Sequence, residues 1–148
     1  MPKVPFAVFP HDRARSLNVV GEQITVLASK DATQGYEIFL QDGPAGTGPP
    51  PHSHPWDEAF YVIRGEVEFG IGEKSMTAIA GTLVHLPAGT VHWFRFGGDG
   101  GQMLSMTGQG SEASAMFTNI DHEIAPGAPD LDALRTVAER SGLRLALG

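Results

Sequence analysis

Nine short runs of β-branched and aromatic residues, with no long helical pattern between them, leave this chain few possible folds. The runs are LNVV (17–20), QITVLAS (23–29), YEIFLQ (36–41), EAFYVI (58–63), EVEFGI (66–71), MTAIA (76–80), TLVHLP (82–87), VHWFRF (91–96) and QMLSMT (102–107). Glycine-containing turn signals separate them, including Arg64-Gly65 and the GGDGG of residues 97–101. Short strands at this spacing predict an all-β antiparallel sandwich or barrel rather than βαβ units.

The two ends of the chain differ from this central region. Three prolines interrupt the first sixteen residues, which predicts an extended arm on the surface. After residue 110, the segment SEASAMFTNI (111–120) predicts a short helix, and a second helix is predicted after Asp130 as N-cap. We therefore expect an arm over residues 1–16, a barrel over 17–110 and a helical appendage packed on the barrel over 111–148.

The second predicted helix has an apolar face and is followed by an alternating tail. The residues expected on that face are Leu131, Leu134, Val137 and Ala138. Gly142 stands where a helix commonly stops. Beyond it, Leu143, Leu145 and Leu147 alternate as in a strand, which predicts pairing with a sheet edge of this chain or of a partner.

Composition limits the size of the fold and the chemistry of any metal site. A chain of 148 residues matches one domain with a single core. The sequence contains no cysteine, which excludes disulfides and thiolate ligands. Any metal must therefore be bound by histidine nitrogen and carboxylate oxygen.

Charge and hydropathy exclude two classes of partner. The formal net charge is −7, and no cluster of lysine and arginine is present that would neutralise phosphates, so we expect no nucleic-acid partner. No apolar run approaches the roughly 18 residues that span a bilayer. The start MPKVPFAVFP is broken by prolines where a signal peptide has an unbroken apolar stretch, so we expect a cytoplasmic protein without a membrane partner.

Three potential metal ligands share one side of an extended segment. His52, His54 and Glu58 all stand at even positions, and side chains in an extended chain alternate between faces. Asp57 has the opposite parity, which makes Glu58 the better candidate unless a bulge intervenes. Phe60 continues the same face, so the neighbouring pocket is expected to be apolar.

A fourth potential ligand lies on a later predicted strand. His92 shares one face with Phe94 and Phe96. If this face and that of Glu58 line the same interior, three imidazoles and one carboxylate can converge among aromatic rings. Such a donor set suits Fe, Mn, Ni, Cu, Zn or Co, whereas calcium and magnesium require more oxygen.

Two motifs in the chain resemble those of the cupin family. The first reads Gly46-TGPPP-His52-Ser-His54-PWD-Glu58-AFYVIR-Gly65, and the second reads Gly81-TLVHL-Pro87-Ala-Gly89-TV-His92. One departure is found, because Phe96 stands where the second motif has asparagine. That difference leaves the histidines and the glutamate of the motifs unchanged.

The resemblance implies a jelly-roll-like β-barrel with short C-terminal helices and a metal inside it. By this resemblance His52, His54, Glu58 and His92 are the ligands of a divalent transition metal, with iron expected first and Mn, Ni, Zn, Cu or Co as alternatives. Glu58 is also expected to act as a catalytic base.

The segment PPPHSHPWDEAFYVIRGEVEF is similar in sequence to small bacterial cupins related to quercetin dioxygenase. The resemblance implies a metal-dependent dioxygenase, an oxidoreductase, acting on a small aromatic or enolisable substrate. Two alternatives stay open: a metal-dependent lyase or isomerase, and a non-catalytic module that binds or senses a small ligand. Phe60, Phe94 and Phe96 are candidates for the substrate pocket, although packing of the barrel interior is the favoured explanation for them.

Association into a homodimer is also expected. Tyr61 and Ile63 lie on the face opposite to the pocket residues of their strand, where they can cover a second barrel. His85 has odd parity, so its position at the site edge or outside is left open by the sequence.

Overall fold

The computed structural model describes residues 3–127 and 130–146 of the chain. Within these residues the strands are β1 (Leu17–Val19), β2 (Glu22–Ala28), β3 (Glu37–Gly43), β4 (His52–Ser53), β5 (Glu58–Ile71), β6 (Lys74–Ile79), β7 (Leu83–Leu86), β8 (His92–Thr107) and β9 (Arg144–Leu145). The helices are α1 (Lys30–Thr33), α2 (Ala113–Glu123) and α3 (Leu131–Glu139), and a 3-10 turn spans Pro10–Asp12. The predicted all-β fold is confirmed.

The two longest strands, β5 and β8, hold the sheet together. They pair antiparallel from Glu58 opposite Thr107 to Ile71 opposite His92. The later half of β8 also pairs with β3, and its first residue pairs with β4, while β6 and β7 pair with β5. Because one strand serves different neighbours along its length, the sheet curls and acquires an inner face.

Two predicted turns are wrong, because Arg64-Gly65 lies within β5 and the GGDGG segment lies within β8. The register between the two strands shifts between Val62 and Arg64 and again between Gly65 and Val67. A Cβ atom on Gly65 would overlap the carbonyl oxygen of Gly100, so glycine allows the two backbones to approach closely at this bend. Glycine signals in the sequence do not distinguish such a bulge from a chain reversal.

The buried side chains form two apolar clusters. The cluster inside the curled sheet contains Phe60, Val62, Val67, Phe69, Ala78, Val84, Leu86, Phe94, Phe96 and Met103. The cluster between sheet and helices contains Leu17, Val19, Ile24, Phe39, Trp56, Ala113, Met116, Ile120, Leu134, Val137, Ala138 and Leu143. Several polar residues are buried as well, including the three motif histidines.

A buried carboxylate fixes the start of α2 on the sheet. Glu37 is fully buried and accepts hydrogen bonds from the Ser111 hydroxyl at 2.7 Å, from the Ser114 backbone N–H at 3.0 Å and from the Ser114 hydroxyl. The backbone N–H of Lys30 donates to the same carboxylate at 3.0 Å. Further along α2, the Phe117 ring packs edge-on against Phe39.

The C-terminal segment covers the sheet and then joins it. Asp130 caps α3 as predicted, and three of the four predicted apolar positions are buried, whereas Leu131 in the first turn is 51% exposed. Strand β9 pairs with β4, so the described part of the tail pairs with this chain's own sheet. Leu147 of the predicted alternation lies outside the described residues.

The N-terminal arm is exposed along its described length. All side chains from Lys3 to Arg15 are exposed, including Phe6 and Phe9. The arm is connected to α2 where the Arg15 guanidinium donates to the Asp121 carboxylate at 2.7 Å. In the described part of the chain, no helix combines the length and the apolar character that crossing a membrane requires.

Candidate metal centre

Three histidines meet where β4 runs beside the start of β8. His52 and His92 are direct register partners across these strands, which places their ring centroids 4.2 Å apart. His54 follows by strand alternation on the same side, 5.2 Å from the His92 ring. All three side chains are buried. The predicted convergence of these histidines is therefore present in the fold.

Each imidazole ring is oriented by a hydrogen bond to the backbone. The Nδ1 atoms of His52, His54 and His92 lie 2.8, 3.0 and 2.8 Å from the carbonyl oxygens of Pro50, Trp56 and Thr90. A carbonyl only accepts, so each Nδ1 carries the proton and donates. Nε2 of each ring is consequently the atom left for a metal, as a histidine ligand oriented through its other nitrogen requires.

Glu58, the first residue of β5, lies against two of these rings. Its Oε1 atom is 3.0 Å from Nε2 of His54 and 3.4 Å from Nε2 of His92. Burial by itself would raise the pKa of Glu58, but the hydrogen bond with His54 and the closeness of His92 outweigh that effect and lower the pKa to about 2. The carboxylate is therefore charged at neutral pH.

The electrostatic environment keeps His52 neutral. Burial and, next, the neighbouring His92 lower the pKa of His52 from 6.5 to about 3. One ligand atom from each of His52, His54 and His92 lies within 4.8 Å of the others, so the three buried histidines can hold a metal ion.

The residues fit a divalent transition metal. Among the described residues, Nε2 of His92 is buried without a hydrogen-bond partner, because its 3.4 Å approach to Glu58 lacks hydrogen-bond geometry. A cation in this place would satisfy that nitrogen and would take the place of the contact between Glu58 and Nε2 of His54. Imidazole nitrogen with one carboxylate is a donor set typical of such metals.

A cavity of about 70 Å³ adjoins the cluster. Its walls include three of the four predicted ligands (His52, His54 and Glu58), apolar side chains of α2 and α3, and residues from β1, β2, β3 and β9. Of the predicted pocket residues, Phe60 and Phe94 line this cavity. Phe96 does not, because its ring occupies the space in which a Cβ of Gly43 would otherwise lie. His92 is also outside the lining and is 1% exposed.

Glu22, Gln41 and Trp56 also line the cavity, although none of them is among the predicted site residues. Trp56 stacks on the His54 ring at 4.5 Å between centroids and is 2% exposed. Glu22 and Gln41 come from β2 and β3, where Ile24 pairs with Gln41, so they share the inner face. Alternation with Ile24 was the available signal for Glu22, but a glutamate at a strand start is usually exposed.

Glu22 has an environment different from that of Glu58. Burial raises the pKa of Glu22 well above its ordinary value, and the charge of Glu58 raises it further. The cavity therefore contains one charged carboxylate and one carboxyl group that resists ionisation.

Two neighbouring residues lie outside the cavity lining. His85 is exposed on β7, so it is not part of the histidine cluster. Asp57 is exposed and anchors a loop, since its carboxylate accepts from the Ala88 backbone N–H at 2.8 Å. Its orientation agrees with the predicted alternation.

Comparison with known proteins identifies relatives of the same architecture. The family model described as Cupin domain matches residues 39–106. Quercetin 2,3-dioxygenase from Bacillus subtilis (strain 168) is 27% identical over 130 residues, which cover 84% of this chain and 38% of that protein. The chain thus spans well under half the length of this curated relative.

Solved structures agree on the fold. KdgF from Halomonas sp. superposes with a TM-score of 0.67 at 16% identity, covering 75% of this chain and 99% of that one. The polyketide cyclase RemF from Streptomyces resistomycificus superposes with a TM-score of 0.61 at 18% identity, covering 71% and 80%. At these identities the likeness shows the fold alone.

Proposed function

Since the chain is a member of the cupin superfamily, we propose that it binds a divalent transition metal through His52, His54, Glu58 and His92 and is a metal-dependent dioxygenase of a small organic molecule. The observation that carries the proposal is the common orientation of the three rings. Each donates Nδ1–H to a backbone carbonyl, which leaves Nε2 of each ring for the metal in a buried cluster beside a charged carboxylate.

The dioxygenase proposal is supported by the 27% identity to quercetin 2,3-dioxygenase across most of this chain. A bound metal of this type supplies a Lewis acid that orients an oxygen-rich substrate and dioxygen. Iron is proposed first, with Mn, Ni, Zn, Cu or Co as alternatives, because the nitrogen and oxygen donors suit all of them.

The protein residues would contribute orientation, exclusion of water and proton transfer. Backbone carbonyls hold the rings of the three histidines, while Phe60, Phe94 and the helices exclude water from one side of the substrate. We assign to Glu58 the second role of accepting a proton from a substrate hydroxyl at Oε1. The apolar walls would limit competing reactions with water.

A lyase or isomerase is the second candidate function. The observation in its favour is the presence of two buried carboxyl groups, Glu22 and Glu58, on one cavity, since proton abstraction and return need an acid and a base of different pKa. Product formation under argon at the rate seen in air would favour this function over the dioxygenase. A non-catalytic binding protein is the third candidate.

The metal proposal is tested by elemental analysis of protein purified without added ions, followed by titration of the apoprotein with Co(II) and Fe(II). We expect about one metal per chain. Loss of a hydrogen bond that supports a metal ligand weakens metal binding by roughly 10–100-fold. Because His92→Ala removes a ligand itself, we expect it to weaken metal binding by more than that. His85→Ala is the matched control, because this exposed histidine lies outside the cluster. Equal uptake by His92→Ala and wild type would refute the proposed ligand set.

The reaction is tested with the Fe(II)-loaded protein, an oxygen electrode and a panel of small enolisable and aromatic compounds. Dioxygenase activity requires oxygen consumption that matches product formation and is lost in Glu58→Ala. A product formed without oxygen uptake would replace the dioxygenase with the lyase or isomerase.

We also propose that the protein is a homodimer and that it is located in the cytoplasm. Tyr61, Ile63 and Leu83 are exposed apolar residues on β5 and β7, and Tyr61 pairs with Leu83 across these strands. They would form one apolar face that a second copy can cover. Light scattering should give a mass near twice 15.7 kDa, and Leu83→Asp should reduce it to that of a monomer. A monomeric wild type would contradict this part.

A further inference from the structure

Two buried oxygen atoms of cavity-lining residues have no hydrogen-bond partner among residues 3–127 and 130–146. Oε1 of Glu22 and Oε1 of Gln41 lack hydrogen bonds, although their residues are only 3% and 2% exposed. Both residues line the cavity that adjoins His52, His54 and Glu58. They belong to β2 and β3, whereas the proposed ligands lie on or beside β4, β5 and β8.

Such unpartnered groups destabilise a folded protein. Leaving a buried polar atom without a hydrogen bond costs about 1–3 kcal/mol, and most buried polar atoms in proteins are paired. The Gln41 side chain shows the contrast, because its Nε2 atom donates to the Ser105 hydroxyl at 2.7 Å while its oxygen remains unpaired. A group with a purely structural role would be expected to have both ends satisfied.

Apart from the proposed ligands and Trp56, the rest of the wall is apolar, so these oxygens are local polar features on it. Around them stand Ile24, Phe60, Met116 and Leu134 among other apolar residues. In small-molecule sites, a few polar groups on apolar walls fix the orientation of the ligand. A hydroxyl group satisfies both a carboxyl and an amide, since it donates one hydrogen bond and accepts others.

The cavity also limits the size of the ligand. Its volume is about 70 Å³, and one water molecule needs roughly 10–15 Å³ measured in this way. About five water-sized groups therefore fit while α2 and α3 stay in place. A molecule with two or more fused rings does not.

We infer that Glu22 and Gln41 form a polar subsite that selects a small hydroxylated substrate, of about five or six non-hydrogen atoms, whose other end is held by the metal. The inference rests on the proposed function, because the metal would bind the carboxylate or carbonyl end. Glu22 and Gln41 determine specificity and do not serve as metal ligands.

The test compares two probes that differ by one hydroxyl, 3-hydroxypropanoate and propanoate. Their dissociation constants are measured by NMR titration of the Zn(II)-loaded protein. Wild type should bind 3-hydroxypropanoate about fivefold more tightly, which is the effect of one net hydrogen bond. The preference should fall below about twofold in Glu22→Met and in Gln41→Met. It should persist in Glu22→Gln, which keeps a polar group.

A second readout separates specificity from general damage to the fold. Replacing an unpartnered buried carboxyl by a thioether of similar size should raise the thermal midpoint of the unliganded Glu22→Met protein by about 3 °C. Thr25→Val is the control, because this neighbouring buried residue of β2 does not line the cavity. It should leave the probe preference unchanged.

The outcomes distinguish the two proposals. A wild type that holds no Zn(II) refutes the metal site and, with it, this subsite. A wild type that holds Zn(II) but binds both probes equally overturns the subsite alone and assigns the two oxygens to ordered water. Retention of the full preference in both methionine variants also overturns it.

Discussion

Two buried groups give the metal-free protein opposing responses to pH. The pKa of His52 is lowered to about 3, mainly by burial, so between pH 6.5 and 3 the unfolded chain binds a proton at this residue that the folded chain does not. Stability from this group therefore decreases as the pH falls. The pKa of Glu22 is raised, again mainly by burial, so above pH 4.5 the folded chain keeps a proton that the unfolded chain loses. Stability from Glu22 therefore increases as the pH falls.

The magnitudes follow from proton linkage. One proton of difference changes the free energy of unfolding by about 1.4 kcal/mol per pH unit. Between pH 6 and 5 the His52 contribution is about 1 kcal/mol, because the imidazole of the unfolded chain has not completed its titration, and the Glu22 contribution has the opposite sign. The pKa of Glu58 is lowered to about 2 from 4.5, and its effect therefore falls mainly below this window. The contributions of His52 and Glu22 oppose each other in the wild type.

Two variants separate these contributions. Glu22→Gln removes the carboxyl, so the free energy of unfolding should decrease by about 1 kcal/mol from pH 6 to pH 5. His52→Asn removes the imidazole, so the free energy of unfolding should instead increase over the same pH step. Urea unfolding with a chelator present, followed by tryptophan fluorescence, measures both. With a slope of about 2 kcal/mol/M, the expected shift of the midpoint in Glu22→Gln is about 0.5 M.

The reasoning would be refuted if Glu22→Gln had the same pH dependence as the wild type, because the carboxyl would then ionise in the folded protein as it does in the unfolded chain. An unchanged dependence in His52→Asn would likewise show that this imidazole is protonated in the metal-free fold.

Three further predictions concern the fold and the metal. In urea unfolding, Gly48→Ala should lower the free energy of unfolding by about 3 kcal/mol, because the new Cβ would overlap the Phe94 carbonyl oxygen. Gly35→Ala is the control and should change that free energy by less than about 0.5 kcal/mol, because its new Cβ meets no atom within 4 Å. Glu37→Ala should cost about 3 kcal/mol and accelerate hydrogen exchange in α2 more than in β5, while the exposed Glu66→Ala should do neither. Zn(II) at one hundred times its dissociation constant should stabilise the wild type by about 2.7 kcal/mol, and a chelator should reverse this in calorimetry.

The alternation of side chains between the two faces of a strand was the sequence feature that predicted most of the site. The even positions 52, 54, 58 and 60 are all buried, and the exposed Asp57 lies between them, because β4 and β5 are extended and the bend at residues 55–56 preserves the alternation between them. Capping chemistry likewise determined the start of α3 at Asp130. These features depend on neighbours in sequence, and short-range geometry is enough to predict them.

Only the tertiary structure decided which residues from distant strands lie next to each other. The sequence did not reveal that β5 and β8 continue through their glycines, since a bulge and a turn use the same residues. It did not reveal Glu22, Gln41 and Trp56 on the cavity wall, or that Phe96 fills the space beside Gly43 instead. Burial of a glutamate depends on which helix covers its strand. That is a property of packing between segments about a hundred residues apart, for which no local pattern exists.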